Sequence, residues 1–400
     1  MSENVHSPEL AWAATTRPRL FRSFFAAGFE CSTHRRRDRR RLDLIEATRH
    51  DVLVEQDYAA LPRLGLRTAR DGLRWHLIER RPGVYDWSSF LPMLQAAHSY
   101  GVQVVWDLCH YGYPDGLDFW SGAFIERFSR FARAAARLVL EETGESGLFC
   151  PVNEISYWAW AGGTSGRINP CSRRRGPALK RHLVRTSIAG IEAIREADPR
   201  ARILHAEPLI HITTLSNQPH HRAQAKLRSD AQFEAWDLLT GALEPELGGR
   251  RDYLEVAGLN YYPINQWLVR GGTLPLGHQH YRPMRELLLD VYRRYQRPIY
   301  ISETGAERTA RAPWLYYVCA EVRAAMSQGV PIEGICLYPV VDYPGWDDGR
   351  LCEVGLYSSA DESGRRTVDL ALADELKRQQ ALLAAGSALS DFPASIEAAS

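Results

Sequence analysis

The chain has 400 residues, 45% of them hydrophobic and 24% charged, and a formal net charge of +1. This composition excludes disordered and collagen-like classes, and the near-zero net charge leaves no global field to attract nucleic acid or an acidic membrane. A chain this long buries a large core without disulfide staples, and α/β barrels hold about 250 to 400 residues in a single unit.

Residues 1–20 read as an N-terminal extension without an apolar stretch of signal-peptide length. Beyond them, short apolar runs alternate with longer amphipathic stretches, the pattern of βα units and a parallel sheet. Strands are predicted at 24–29, 66–75, 102–108, 148–152, 202–205, 254–259, 298–302 and 332–337. Helical periodicity fills the gaps. It places Phe128, Phe131, Ala135, Leu138 and Val139 on one face of 125–142, and Leu287, Leu288, Val291 and Tyr295 on one face of 283–296. A further helix at 312–329 precedes the eighth strand. Eight strands with helical crossovers predict an α/β fold, a single (β/α)8 TIM barrel over residues 21–380. An open doubly wound sheet ranks below it, because no G-x-G-x-x-G follows the first strand. From about Leu372 a helix is expected, then an Ala/Ser-rich tail over 381–400 that we expect to be poorly ordered.

The seven cysteines are odd in number, irregularly spaced and without a C-x-x-C, which argues against zinc ribbons and disulfide frameworks. Cys109, Cys150 and Cys336 lie in apolar runs and read as buried small hydrophobes. No window reaches 18 consecutive apolar residues. The expectation is a soluble cytoplasmic protein with reduced thiols, no nucleic-acid or membrane partner and no cofactor. The arginine run at 35–41 reads as a solvated loop or helix start rather than a polyanion site.

In such a barrel the chemistry gathers at the C-terminal ends of the strands. In strand order the polar residues there are Glu30, Arg70, His110 with Tyr111, Asn153 with Glu154, Glu207, Asn260 with Tyr261 and Tyr262, Glu303, and Tyr338 with Asp342 and Trp346. Glycoside hydrolysis needs two carboxyl groups flanking the anomeric carbon, one protonated and one ionised. A single glutamate at a strand end is as readily a loop salt bridge. Two of them, Glu154 and Glu303, each within its own motif, shift the balance toward catalysis.

Those motifs carry a resemblance. The runs Pro151-Val152-Asn153-Glu154, Ser302-Glu303-Thr304-Gly305, Arg70-Asp71-Gly72-Leu73-Arg74-Trp75, Leu108-Cys109-His110-Tyr111-Gly112-Tyr113-Pro114 and Gly258-Leu259-Asn260-Tyr261-Tyr262 fall in order along the chain. They resemble clan A of the glycoside hydrolases, closest to glycoside hydrolase family 1, the β-glucosidases and their relatives. The run Pro82-Gly83-Val84-Tyr85-Asp86-Trp87 resembles a motif of other families in the clan. The resemblance implies a retaining β-glycosidase acting through a glycosyl-enzyme on a carbohydrate or glycoside substrate. Glu154 would be the acid/base and Glu303 the nucleophile. Arg70 and Tyr262 would hold Glu303 and keep it ionised, while Glu154, beside a negative charge, would be raised. Asn153 would bind the sugar 2-hydroxyl and His110 a ring hydroxyl, with Tyr338 and Trp346 as an apolar platform. Glu30, Glu207 and Asn260 would line the substrate site.

The chain departs from the family where sugars are recognised. Ile155 replaces the proline after the catalytic glutamate, Glu30 falls at or beside a glutamine position, and Tyr111 replaces a tryptophan. Gly345 stands in the run Asp342-Tyr343-Pro344-Gly345-Trp346 where the family has a glutamate. A glutamate at position 30 suits a hydroxyl-rich or cationic sugar and rejects a uronate. Trp75, Trp106 and Trp120 divide evenly between stacking on sugar and packing, and Trp158 and Trp160 are better aglycone contacts. Asp107, Asp115 and Asp118 read as a solvated loop. His205, Glu207 and His211 have metal-like spacing but read as substrate-lining, so no metal is expected. No G-x-S-x-G elbow occurs. Two alternatives stay open, a transglycosidase using the same glutamates and a catalytically silent glycan-binding barrel.

Overall fold

The computed structural model describes residues 20–390. Eight strands, β1 (Phe25–Gly28), β2 (Thr68–Gly72), β3 (Gln103–Asp107), β4 (Leu148–Cys150), β5 (Arg202–Pro208), β6 (Val256–Asn260), β7 (Ile299–Thr304) and β8 (Ile332–Leu337), pair in parallel and close with β1 against β8. The crossover helices include α1 (His50–Ala60), α2 (Leu91–Ser99), α3 (Gly122–Thr143), α4 (Gly176–Ala197), α5 (Glu234–Leu239), α6 (Met284–Tyr295), α7 (Arg311–Met326) and α8 (Leu370–Ser390). The chain is a single (β/α)8 TIM barrel.

Alternation along each strand sorts side chains into two layers. Ala26, Val105, Cys150, Leu204, Ala206, Val256, Tyr300 and Cys336 fill the barrel interior, and Phe21 plugs its lower end against Tyr300 at 4.5 Å. The residues between them, such as Ile203, Val104 and Trp106, point outward into the layer beneath the helices. α3 buries Phe124, Phe128, Phe131, Ala135 and Val139 at helical spacing and ends at Gly144, whose φ of +69° suits a glycine C-cap. Among the described residues no helix is long and apolar enough to cross a membrane.

Strand ends differ from the sequence expectation for local reasons. β2 stops at Gly72, because the chain turns into a short helix, Trp75–Ile78. β4 stops at Cys150, ahead of Pro151, which has no N–H for the ladder. β5 and β7 run further, to Pro208 and Thr304. The last helix continues to Ser390, ten residues into the stretch expected to be tail, and the remainder of that stretch lies outside the described residues, as do residues 1–19 of the extension.

Candidate active site

β7 carries an irregularity at its C-terminal end. Against β6, Gly258 pairs with Tyr300 but Asn260 with Glu303; against β8, Ile335 pairs with Ile301 but Leu337 with Thr304. One extra residue on β7 therefore breaks the strict alternation, as a bulge does. Ser302 Oγ reaches Asn260 Oδ1 at 2.6 Å, and Glu303 also turns into the mouth.

Glu303 is 5% exposed and accepts two hydrogen bonds, from Arg70 Nη1 at 2.7 Å and from the Tyr262 hydroxyl at 2.8 Å. Arg70 rises from β2 and is fully buried. Its five N–H groups all have acceptors: Asp107 takes Nε at 3.0 Å and Nη2 at 2.7 Å, Asn153 Oδ1 takes Nη2 at 2.7 Å, and Nη1 is divided between Glu303 and the Ser302 carbonyl at 3.2 Å. The positive charge is thus divided between two carboxylates. Burial prevails at Glu303 and, despite Arg70, raises its carboxyl to about 7, with Glu154 pushing the same way. Arg70 and the Tyr262 hydroxyl both favour the ionised form of Glu303, and burial outweighs them.

The amide of Asn153 is oriented by the same logic. Arginine has no acceptor, so Oδ1 must face Arg70, and Nδ2 then donates to His110 Nε2 at 2.9 Å and to the Tyr111 hydroxyl at 3.0 Å. A His110 ring that accepts at Nε2 carries its proton on Nδ1, 2.9 Å from Asp107 Oδ2. Burial alone would depress His110, and Asp107 raises it instead, while the Asn153 donor opposes a second proton. In this state Asn153 and His110 are committed to protein partners rather than turned toward a ligand.

Glu154 follows β4 with φ +42° and ψ +64°, in the left-handed region, and opens the short helix Ile155–Trp158. Its N–H donates to the Ala206 carbonyl on β5 at 3.0 Å. Its carboxylate accepts from the Tyr111 hydroxyl at 2.7 Å and from Asn260 Nδ2 at 3.0 Å. Asn260, expected to touch substrate, is fully buried and holds Glu154.

Glu30 is 7% exposed, and burial raises its carboxyl, with Glu303 adding to the shift. Its hydrogen bonds from Ser32, N–H at 3.1 Å and hydroxyl at 2.5 Å, both reach Oε1, and Oε2 takes none among the described residues. Tyr338 lies across the floor, with Arg70 Cζ 5.5 Å from its ring centre and the His110 ring stacked at 6.3 Å. It has room because residue 28 is glycine: a Cβ there would stand 2.1 Å from Tyr338 Cδ2. Trp346 stands farther out, packed on His34 at 4.6 Å, Tyr111 at 5.8 Å and Tyr157 at 6.2 Å.

Several expectations need correction. Glu207 pairs in register with Leu259 on the outward face of the barrel. There it accepts the Ser156 N–H at 3.2 and 3.1 Å, and burial lifts it to about 8; it stands behind the Glu154 helix rather than in the mouth. Asp107 is not in a solvated loop but is buried between Arg70 and His110. Trp75, Trp106 and Trp158 are core residues: Trp75 packs on Phe131 at 5.3 Å, Trp106 on Phe90 at 4.8 Å, and Trp158 Nε1 donates to the Asn169 carbonyl. Trp120 lies under Arg175 at 3.6 Å, and Trp160 is 47% exposed at the rim. Asp342 accepts the Gly355 N–H, so it shapes its loop.

Tyr111 as a donor to Glu154 was not anticipated; its place beside His110 was the available signal. Cys31, Asp107 and His110 offer ligand atoms within 4.8 Å of one another. They suit a cation poorly: Arg70 already neutralises Asp107, and burial holds the Cys31 thiol far above its ordinary range.

No family model and no curated protein matches the sequence. Solved structures do. A family 1 β-glucosidase from Thermotoga maritima superposes with a TM-score of 0.70 at 15% identity, over 84% of this chain and 87% of that one. The β-glucosidase from Thermotoga maritima in complex with glucoimidazole gives 0.72 at 15%, over 83% and 88%. The AHE enzyme from Alicyclobacillus herbarius gives 0.73 at 17%, over 90% and 98%. At 15–17% identity these likenesses show the fold alone: the chain shares the (β/α)8 barrel of these enzymes.

Proposed function

We propose that this barrel is a retaining β-glycosidase that cleaves a β-linked glycoside by double displacement. The observation that carries the reading is the pair Glu154 and Glu303 at the ends of β4 and β7, each carboxylate held by two donors of its own. In this reading ionised Glu303 attacks the anomeric carbon while Glu154 gives its proton to the leaving oxygen. Glu154 then takes a proton from the water that releases the sugar from Glu303. Arg70 and Tyr262 aim the nucleophile. Asn153 locks Arg70, His110 and Tyr111 together, and reaching a sugar 2-hydroxyl requires Nδ2 to release one of its two acceptors.

The glycone would meet Glu30, His110 and Tyr338. The free Oε2 of Glu30 accepts from a sugar hydroxyl or ammonium and repels a uronate carboxylate. Hydrolysis of an aryl β-glucuronide in preference to the neutral sugars would refute that assignment. The reaction itself is tested by initial rates on aryl β-glucoside, galactoside, fucoside, mannoside, xyloside, glucosaminide and glucuronide, with Glu303→Gln beside the native enzyme. Release of the aryl group from at least one member, abolished in Glu303→Gln, is expected. Rates equal to the variant on every member would remove the glycosidase reading.

A further inference from the structure

The two densest arginine runs lie more than a hundred residues apart in sequence and meet at the barrel mouth. Residues 35–41 hold six arginines and one aspartate; residues 167–175 hold four arginines and no acid, in a chain whose net charge is only +1. Arg36 bridges Ile168 in antiparallel fashion, and the Arg35 N–H donates to Asn169 Oδ1 at 2.6 Å. Cys171 Sγ lies 4.0 Å from the Arg36 carbonyl, a third contact between the two runs. Neighbouring acids answer part of the charge: Asp38 pairs with Arg36, Asp115 with Arg35 and Arg41, and Asp347 with Arg167. Arg37, Arg39, Arg40, Arg173 and Arg174 are exposed and form no ion pair among the described residues.

The patch borders the acid/base. Asn169 takes the Arg35 N–H and gives its own Nδ2 to the Tyr111 carbonyl at 2.8 Å, while the Tyr111 hydroxyl binds Glu154. Arg36 Nη1 also donates to the Trp346 carbonyl at 3.3 Å, and Trp346 packs on Tyr111. An acid/base faces the leaving group, so the arginines stand on the leaving-group side. The floor offers an anion no such partner: its arginine, Arg70, is already bound to Asp107 and Glu303, and the groups around it are the carboxyls of Glu30, Glu154 and Glu303. Unpaired positive charge at the rim therefore favours a ligand that enters sugar first with its anion outward.

We infer that the substrate's aglycone carries an anionic group, a carboxylate, sulfate or phosphate, which the arginines of the two loops hold at the rim beside Trp346 and Trp160. This rests on the glycosidase reading for which end of the substrate points outward.

The test is equilibrium binding, measured by calorimetry on the full-length Glu303→Gln protein so that turnover does not intervene. The ligands are 4-carboxyphenyl β-glucoside and its methyl ester, which differ in one charge. We expect the acid to bind about tenfold more tightly than the ester in dilute buffer, and the ratio to shrink as salt is raised toward about 1 M, where screening extends only about 3 Å. Adding R37E/R173E/R174E should bring the ratio below about two, whereas R37K/R173K/R174K should keep it. Equal binding of acid and ester, binding of neither at millimolar concentration, or a ratio indifferent to charge reversal overturns the proposal. So does tight heparin binding without discrimination between the small ligands, which would make the patch a polyanion surface. Hydrolysis of neutral aryl glycosides, followed separately, reports whether the glycosidase reading stands.

Discussion

Arg70 shows how a single side chain sets the ionisation of the site. Held by Asp107, Asn153 and Glu303 at once, it aims the Glu303 carboxylate without fully stabilising its charge, and burial leaves that carboxyl at about 7. In the proposed mechanism the acid limb of kcat/KM on an aryl glycoside should therefore fall near pH 7, since Glu303, as the proposed nucleophile, would lose its charge on taking a proton below that point. The Tyr262 hydroxyl lowers the Glu303 pKa by donating to the ionised form. Tyr262→Phe should move the limb to higher pH, and a limb unmoved or shifted downward would contradict this account. Glu154 offers a second test, because its φ of +42° strains any L residue and favours glycine. Both Glu154→Gly and Glu154→Ala remove the carboxyl, so their difference isolates the backbone. The glycine variant should be about 1 kcal/mol more stable in urea unfolding, and an alanine variant of equal or greater stability would exclude the strain. The glutamates themselves were legible because each follows an apolar run at a strand end. The Tyr111 hydroxyl on Glu154 was not, since it depends on how close two loops come.

At the scale of elements, the bulge of β7 and the short helix after Glu154 do the positioning. Sequence periodicity assigns β7 to a strand, but a single added residue leaves no compositional trace, and only the pairing with β6 and β8 reveals it. Glu207 was misplaced for a related reason. Polar residues at strand ends look alike in sequence, while alternation from Leu204 and Ala206, both interior, sends Glu207 outward to the Ser156 N–H. Burial raises Glu207 from 4.5 to about 8, so between those values the folded protein holds a proton that the unfolded chain has released. Stability from this group thus falls as pH rises through that window. Glutamine keeps an uncharged acceptor for Ser156 and removes the titration. Glu207→Gln should melt close to the native temperature at pH 5 and several degrees above it at pH 9, by scanning calorimetry. A variant that melts lower at pH 9 would mean that the ionised carboxylate supports the helix.

For the whole molecule, the alternation of apolar runs and amphipathic stretches sufficed to read eight strands and closure, because every βα unit repeats the same burial pattern. What joins the two ends of the barrel could not be read that way, since its members are scattered. His50 and Asp57 lie on α1, Asp71 on β2, and Arg366 just before α8. His50 Nδ1 meets Asp57 at 2.8 Å and its Nε2 meets Asp71 at 3.0 Å; Arg366 donates twice to Asp57, at 2.7 and 3.0 Å, and to the Thr48 carbonyl. Both ring nitrogens face carboxylates, so the ring carries two protons: burial would lower its pKa, but Asp71 and Asp57 raise it to about 9. A raised histidine contributes stability that is complete below about pH 6.5, its unfolded value, and is lost as pH climbs through about 9. His50→Gln leaves both carboxylates buried with one cation fewer, a change that typically costs about 3–5 kcal/mol. Urea unfolding at pH 6 should register a loss of that order, and at pH 10 the gap between native and variant should narrow, because the native ring has by then released its proton. A constant gap across that range would assign the stabilisation to packing of the ring on Phe29, 3.8 Å away, and not to its charge.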